Sequence, residues 1–191
     1  MLKSGQGGYT LAETLCALAV SAVVMMAAMR LLPQVQRFSL NHIRQIQLAR
    51  HIDYAMLTME KDLRRAGMCR SRCPRPAVVI GQRRGETRQS CLLTTYAFYA
   101  PASIAPSGPL VDETFGYRLR EGALEARRGV THCQGGNWVK THDPRQWRVT
   151  RLRFEPLADN AYRIVLAGES RGKPTVRHGI SRIVACRNGS S

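Results

Sequence analysis

The stretch GQGGYTLAETLCALAVSAVVMMAAM, residues 5–29, sets Gly7–Gly8, the aromatic Tyr9 and a lone Glu13 directly ahead of an apolar run. An ordinary secretory signal carries its cleavage site behind the apolar core, so the order here is reversed. From Thr14 to Met29 sixteen residues carry no charge. With Tyr9–Ala12 in front and Leu31 and Leu32 behind, the segment reaches about 24 residues, enough to cross a ~30 Å hydrocarbon core as a helix. Arg30 stands near one end, where its long stem can snorkel to the interface. Lys3 precedes the run without an acidic neighbour, which places residues 1–8 on the cytoplasmic side and exports the bulk of the chain. All 29 Lys and Arg except Lys3 and Arg30 lie beyond Pro33. Long exported domains, however, cross largely regardless of their charge.

Glu13 is the anomaly of the run. A carboxylate inside a membrane span is expensive and marks function by default, unless it lies close enough to the headgroups to ionise cheaply. The residue alone leaves both readings open. Beyond the run, Pro33 is expected to kink or loosen the helix. Apolar residues then recur at threes and fours: Val35, Phe38, Ile46, Ala49, Ile52, Met56, Met59, Leu63 and Ala66, with Ile43 slightly off phase. That spacing predicts an amphipathic helix whose polar face carries Arg44, Arg50, Lys61, Asp62 and Arg64, stopped at Gly67. His42 and His51 on this helix read as packing or surface residues.

From Ala77 the period shifts towards strands, at 77–81, 91–99, 115–129, 147–157, 161–169 and 175–186, with a hairpin turning near Glu121–Gly122. The segment 100–113 is rich in Pro, Ser and Gly and reads as a surface loop. A long helix followed by antiparallel strands is an α+β layout.

Formal net charge is +16, with 29 Lys and Arg against 13 Asp and Glu, and only four of the cations are Lys. Such an excess is one footprint of nucleic-acid binding. The arginines are scattered, though, and few aromatics interleave with them, which favours a solvated surface. Of six cysteines, Cys16 lies in the apolar run, leaving Cys69, Cys73, Cys91, Cys133 and Cys186. The spacing of Cys69 and Cys73 matches no zinc motif, and bridges in an oxidising compartment are the better reading. Five is odd, so at least one thiol stays out of any intrachain bridge. No nucleophile elbow, phosphate loop or zinc-protease motif occurs. His132 and Cys133 are adjacent in an extended segment and point apart. Asp112, Glu113 and Asp143 sit in expected loops without metal spacing. The chain reads as no enzyme, with no metal and no cofactor.

GGYTLAETLCAL resembles the class III signal of type IV pilins and type II secretion pseudopilins. The resemblance implies a pilin-like fold, a long N-terminal helix, first half transmembrane, packed on an antiparallel β-sheet head. It implies cleavage after Gly8 by prepilin peptidase and N-methylation of the new N-terminus, Tyr9. Glu13 then falls at the fifth mature position, where the family's glutamate neutralises the terminal amine of a neighbouring subunit. An unpaired charge in a low-dielectric filament core would be very costly, so such a pair would select and register subunits. The implied layout is a leader over 1–8, a transmembrane helix over 9–32, an amphipathic extension over 33–67 and a periplasmic head over 68–191.

Farther on, DLRRAGMCRSRC, SCLL and FGYRLREGALEARRGVTHCQGGNW resemble the prepilin peptidase-dependent protein B group of minor pilins, with a layout similar to J-type minor pseudopilins. Cys186 has no counterpart in that pattern and is the candidate for the thiol left over. Cys69, Cys73, Cys91 and Cys133 are then the bridge candidates, with three connectivities open. The resemblance implies a subunit of the bacterial inner membrane, single-pass, that moves to a pilus or pseudopilus tip. Its partners would be prepilin peptidase, other minor pilins, the major pilin and the assembly platform. Three roles are consistent with these residues: initiating type IV pilus assembly, serving a type II secretion pseudopilus, or capturing DNA at a pilus tip.

Overall fold

The computed structural model describes residues 10–70, 73, 76–99, 110–172 and 175–188. Helix α1 (Leu11–Arg65) begins at a side-chain cap. Thr10 Oγ1 accepts the Glu13 backbone N–H at 3.3 Å, and the Thr10 carbonyl accepts those of Glu13 and Thr14. Thr10 and Glu13 stand at the spacing of a capping box, with the acid in the first turn and Arg64 and Arg65 in the last, as the helix dipole favours. Pro33 lies inside the helix without ending it; it only deprives the Met29 carbonyl of its usual donor.

The chain falls into two compact units, Met1–Ile43 and Arg44–Ser191. In the first, the apolar side chains of α1 from Leu11 to Ile43 are exposed, and the helix is long and apolar enough to cross a membrane.

The second unit packs the remaining turns of α1 on two antiparallel sheets. The first sheet runs in the order β1 (Val78–Gly81), β2 (Cys91–Tyr99), β3 (Leu110–Arg120), β4 (Ala123–Arg128), β5 (Val139–Lys140). The other comprises β6 (Trp147–Pro156), β7 (Ala161–Ser170) and β8 (Arg177–Ala185). They are stitched together where the Phe154 N–H donates to the Gln89 carbonyl and the Val149 N–H to the Gly122 carbonyl, both at 2.8 Å.

One core serves all three elements. Leu48, Ile52, Met56, Met59 and Leu63 of α1 meet Leu92, Tyr117 and Leu124 of one sheet and Val149, Leu152, Phe154, Ile164, Leu166 and Val184 of the other. A bulge between Val149 and Arg151 makes this possible on β6. Without it, strand alternation would send either Trp147 and Val149 or Leu152 and Phe154 to solvent; the extra residue lets all four face inward. The expected hairpin is present, with Glu121 and Gly122 at φ of 51° and 76° in a two-residue turn. Gly67 also has positive φ, and a Cβ there would lie 2.0 Å from the Asn188 carbonyl oxygen. Only glycine fits this close approach.

Four expectations need correction. The apolar stripe is buried only from Leu48 onward; Val35, Phe38 and Ile46 are exposed, and Leu48 itself was not expected in the stripe. Asp62 is not on the solvated face but buried. Leu110–Glu113 belong to β3 rather than to a loop, because these four residues find ladder partners in Tyr99, Phe98, Ala97 and Tyr96; residues 100–109 lie outside the described residues. The short strand β5 was not foreseen, since two residues carry no periodicity.

Candidate assembly site

At the start of α1 the cap holds the first turn in place and leaves the Glu13 side chain exposed. Among the described residues no ion pair engages Glu13, and a carboxylate at the head of an apolar run can accept from a positive group of another chain. Gly8 and Tyr9 lie outside the described residues. The exposed surface that follows, from Leu15 and Leu18 to Val23 and Met26, is hydrocarbon.

The head is held by buried polar contacts that local sequence only partly reveals. Asp62 lies on α1 between Met59 and Leu63 and accepts hydrogen bonds from the hydroxyls of Tyr96, at 2.8 Å, and Tyr117. Burial, then the Asp62 charge, pushes both phenols well above their ordinary range, so they remain donors. Phase betrays Asp62 in hindsight: Met59, Asp62 and Ala66 are spaced three and four on one buried face, with half-buried Ala55 a turn before them. Glu60 binds Arg64 and, at 3.0 Å, Arg182 of β8. Burial raises its pKa, but hydrogen bonds from Arg182 and Arg64 outweigh this and hold it below its usual value.

Arg118 and Glu125 face each other across β3 and β4 and are both buried, with Nε to Oε2 at 2.8 Å. A two-residue turn at 121–122 fixes that pairing, so it was legible once the hairpin was placed. Arg118 Nη1 also donates to the carbonyls of Cys133 and Gly135, at 2.8 and 3.1 Å, and its guanidinium lies 4.3 Å from the Trp138 ring centroid. The loop after β4 is thereby drawn across the outer face of its sheet. There Cys91 and Cys133 form a disulfide, and Leu93, Val130 and Trp138 pack beside it. Gly116 admits this loop, because a Cβ would come within 2.9 Å of Val130, Trp138 and Leu93.

Cys69 and Cys73 form the other disulfide. Nearby, the Arg70 N–H donates to Asp112 Oδ1 at 2.9 Å, and Glu113 pairs with Arg128 at 3.0 Å. Cys186 is in neither bridge; its buried thiol donates to the Ala66 carbonyl at 3.3 Å. Among the described residues no group of three or more His, Cys, Asp or Glu gathers as a metal site would. His42 is exposed, while His51 and His142 both stack on Trp147, His142 at 3.8 Å. Burial, then the neighbouring His51, lowers the His142 pKa to about 4.

Residues 3–29 match the prokaryotic N-terminal methylation motif. Residues 41–186, well over half of the chain, match the family described as prepilin peptidase-dependent protein B. The chain belongs to the prepilin peptidase-dependent protein B family. A curated relative of that name from Escherichia coli (strain K12) is 32% identical over 138 residues, which cover 72% of this chain and 71% of the relative. No solved structure matches the chain. Family membership together with the methylation motif gives the protein a general type IV pilin-like role and dependence on prepilin peptidase. The apolar helix and the prepilin-like signal make it membrane-anchored.

Proposed function

We propose that this protein is a minor pilin that initiates assembly of a type IV pilus as part of a priming complex at its tip. Prepilin peptidase cuts after Gly8, Tyr9 is methylated at its new amine, and the helix holds the subunit in the bacterial inner membrane as a single pass. The N-terminus then faces the cytoplasm and residues 68–191 form the head on the periplasmic side. Glu13 neutralises a terminal amine of a neighbouring subunit as the helix leaves lipid for the filament. The head meets other minor pilins, the major pilin and the assembly platform. One observation carries the reading: a methylation motif over residues 3–29 joined to a family match over 41–186, with Glu13 exposed on the capped first turn ahead of the apolar run.

The test is a deletion strain complemented with wild type or Glu13→Ala, counting sheared surface pili and assaying secreted proteins in parallel. Loss of pili with normal secretion, restored by wild type alone, is the expected result. Normal pili with a secretion defect would overturn it and assign the subunit to a type II secretion pseudopilus.

A further inference from the structure

Along the sequence the arginines are scattered, but the fold collects four cations around one concavity. Arg120 ends β3, Lys140 lies on β5, Arg145 sits in the turn before β6, and Arg171 follows β7. Together with Glu121 they line an open cleft of about 510 Å³, a volume typical of small-ligand sites. Carboxylates only loosely balance this charge. Glu121 lies 3.6 Å from Arg120 and Asp143 3.4 Å from Arg145. Glu125 is held by Arg118 at 2.8 Å and reaches Arg120 only at 3.9 Å. Among the described residues no carboxylate oxygen lies within 4.0 Å of the charged nitrogens of Lys140 or Arg171. Elsewhere on the head the pairs are tighter, with Arg163–Glu155 and Arg182–Glu60 at 3.0 Å and Arg177–Glu169 at 3.1 Å.

Four like charges around one cavity repel each other, and an anion between them relieves that repulsion. Guanidinium groups offer planar forks of N–H donors that match the oxygens of phosphate. The space exceeds what one phosphate fills, and the lining's four cations against one carboxylate, Glu121, leave more positive charge than the roughly two negative charges that one phosphate brings. We propose that the cleft formed by Arg120, Lys140, Arg145 and Arg171 binds a ligand carrying at least two phosphate groups. A soluble oligophosphate and the two-phosphate headgroup of a diphosphatidylglycerol lipid share that chemistry. The assignment does not depend on the assembly role, so either can fail alone.

The test uses the full chain in neutral detergent, with tripolyphosphate as probe and binding followed by calorimetry at moderate salt. Two variants remove equal charge: Arg145→Gln with Arg171→Gln inside the cleft, and Arg151→Gln with Arg187→Gln on exposed surface outside it. The expected result is saturable binding that weakens at least tenfold in the cleft variant and less than twofold in the control. Equal weakening in both variants, or no binding by wild type at millimolar probe, would overturn the proposal. A short-chain diphosphatidylglycerol, used below its micellar concentration as competitor, separates the sources. Displacement of tripolyphosphate identifies a lipid headgroup as a ligand of the cleft, and failure to displace assigns the cleft to soluble oligophosphate.

Discussion

One helix lives under two regimes. In its first part Leu15, Leu18, Val23 and Met26 are each more than half exposed; in its last turns Ile52, Met56, Met59 and Leu63 are at 0%. Backbone geometry and apolar content are shared, so local structure does not distinguish the two. The difference is cover: two sheets of the same chain dehydrate the second part, whereas the hydrocarbon of the first must find lipid or other subunits. The protein thus spends its own residues on only one half of its apolar helix. The other half is left as a membrane-anchoring surface.

The sharpest way to break this contrast is to remove equivalent side chains from each half. Ile52→Ala is expected to lower head stability by about 4 kcal/mol, as for other large-to-small core changes. Val23→Ala should stay within about 0.5 kcal/mol. Denaturant unfolding of the full chain in detergent, read by tryptophan fluorescence, measures both; equal losses would mean that the first half is a structural part of the head.

Asp62→Ala tests whether cover must also supply polar partners. It orphans two buried tyrosine hydroxyls, and a loss of about 3 kcal/mol is expected in the same assay. Adding Tyr96→Phe and Tyr117→Phe should return part of it, since the orphaned groups are then gone.

Cys69→Ser with Cys73→Ser opens a bridge spanning four positions. Loop-closure entropy for so short a loop predicts a loss of about 2 kcal/mol in oxidised protein. On the anchoring half, Thr10→Ala removes the cap that Glu13 N–H uses. Its expected cost is about 1 kcal/mol of local helix stability, seen as faster amide exchange at residues 11–14 with the head unchanged.

A further expected effect is a pH dependence of the head's stability. His142 is lowered from 6.5 to about 4 in the folded protein. The unfolded chain therefore binds the proton first, so this contribution is fully present above about pH 6.5 and is lost as pH falls towards about 4. Denaturation midpoints should decline through that window, and His142→Gln should flatten the decline.

Much of this was legible in particular residues. The apolar run, the hairpin at Glu121–Gly122 and the strands at 147–157, 161–169 and 175–186 follow from local chemistry. Others eluded a local reading. Leu110–Glu113 look like the end of a loop until β2 supplies their partners. Asp62 looks solvated because charged residues usually are, although its helical phase says otherwise. The exposure of Val35 and Phe38 has no local signature, because periodicity marks a face without naming what covers it.

By itself, the sequence determined the prepilin-like signal, the helix that follows it, and the positions of the longer strands, since each rests on steric and hydrophobic rules acting over a few residues. Tertiary structure alone decided where burial begins on α1, which cysteines bond, and how arginines 25 to 51 positions apart come to share a cleft with Lys140. Those outcomes depend on contacts between distant segments, and only closing the chain into sheets brings their partners within reach.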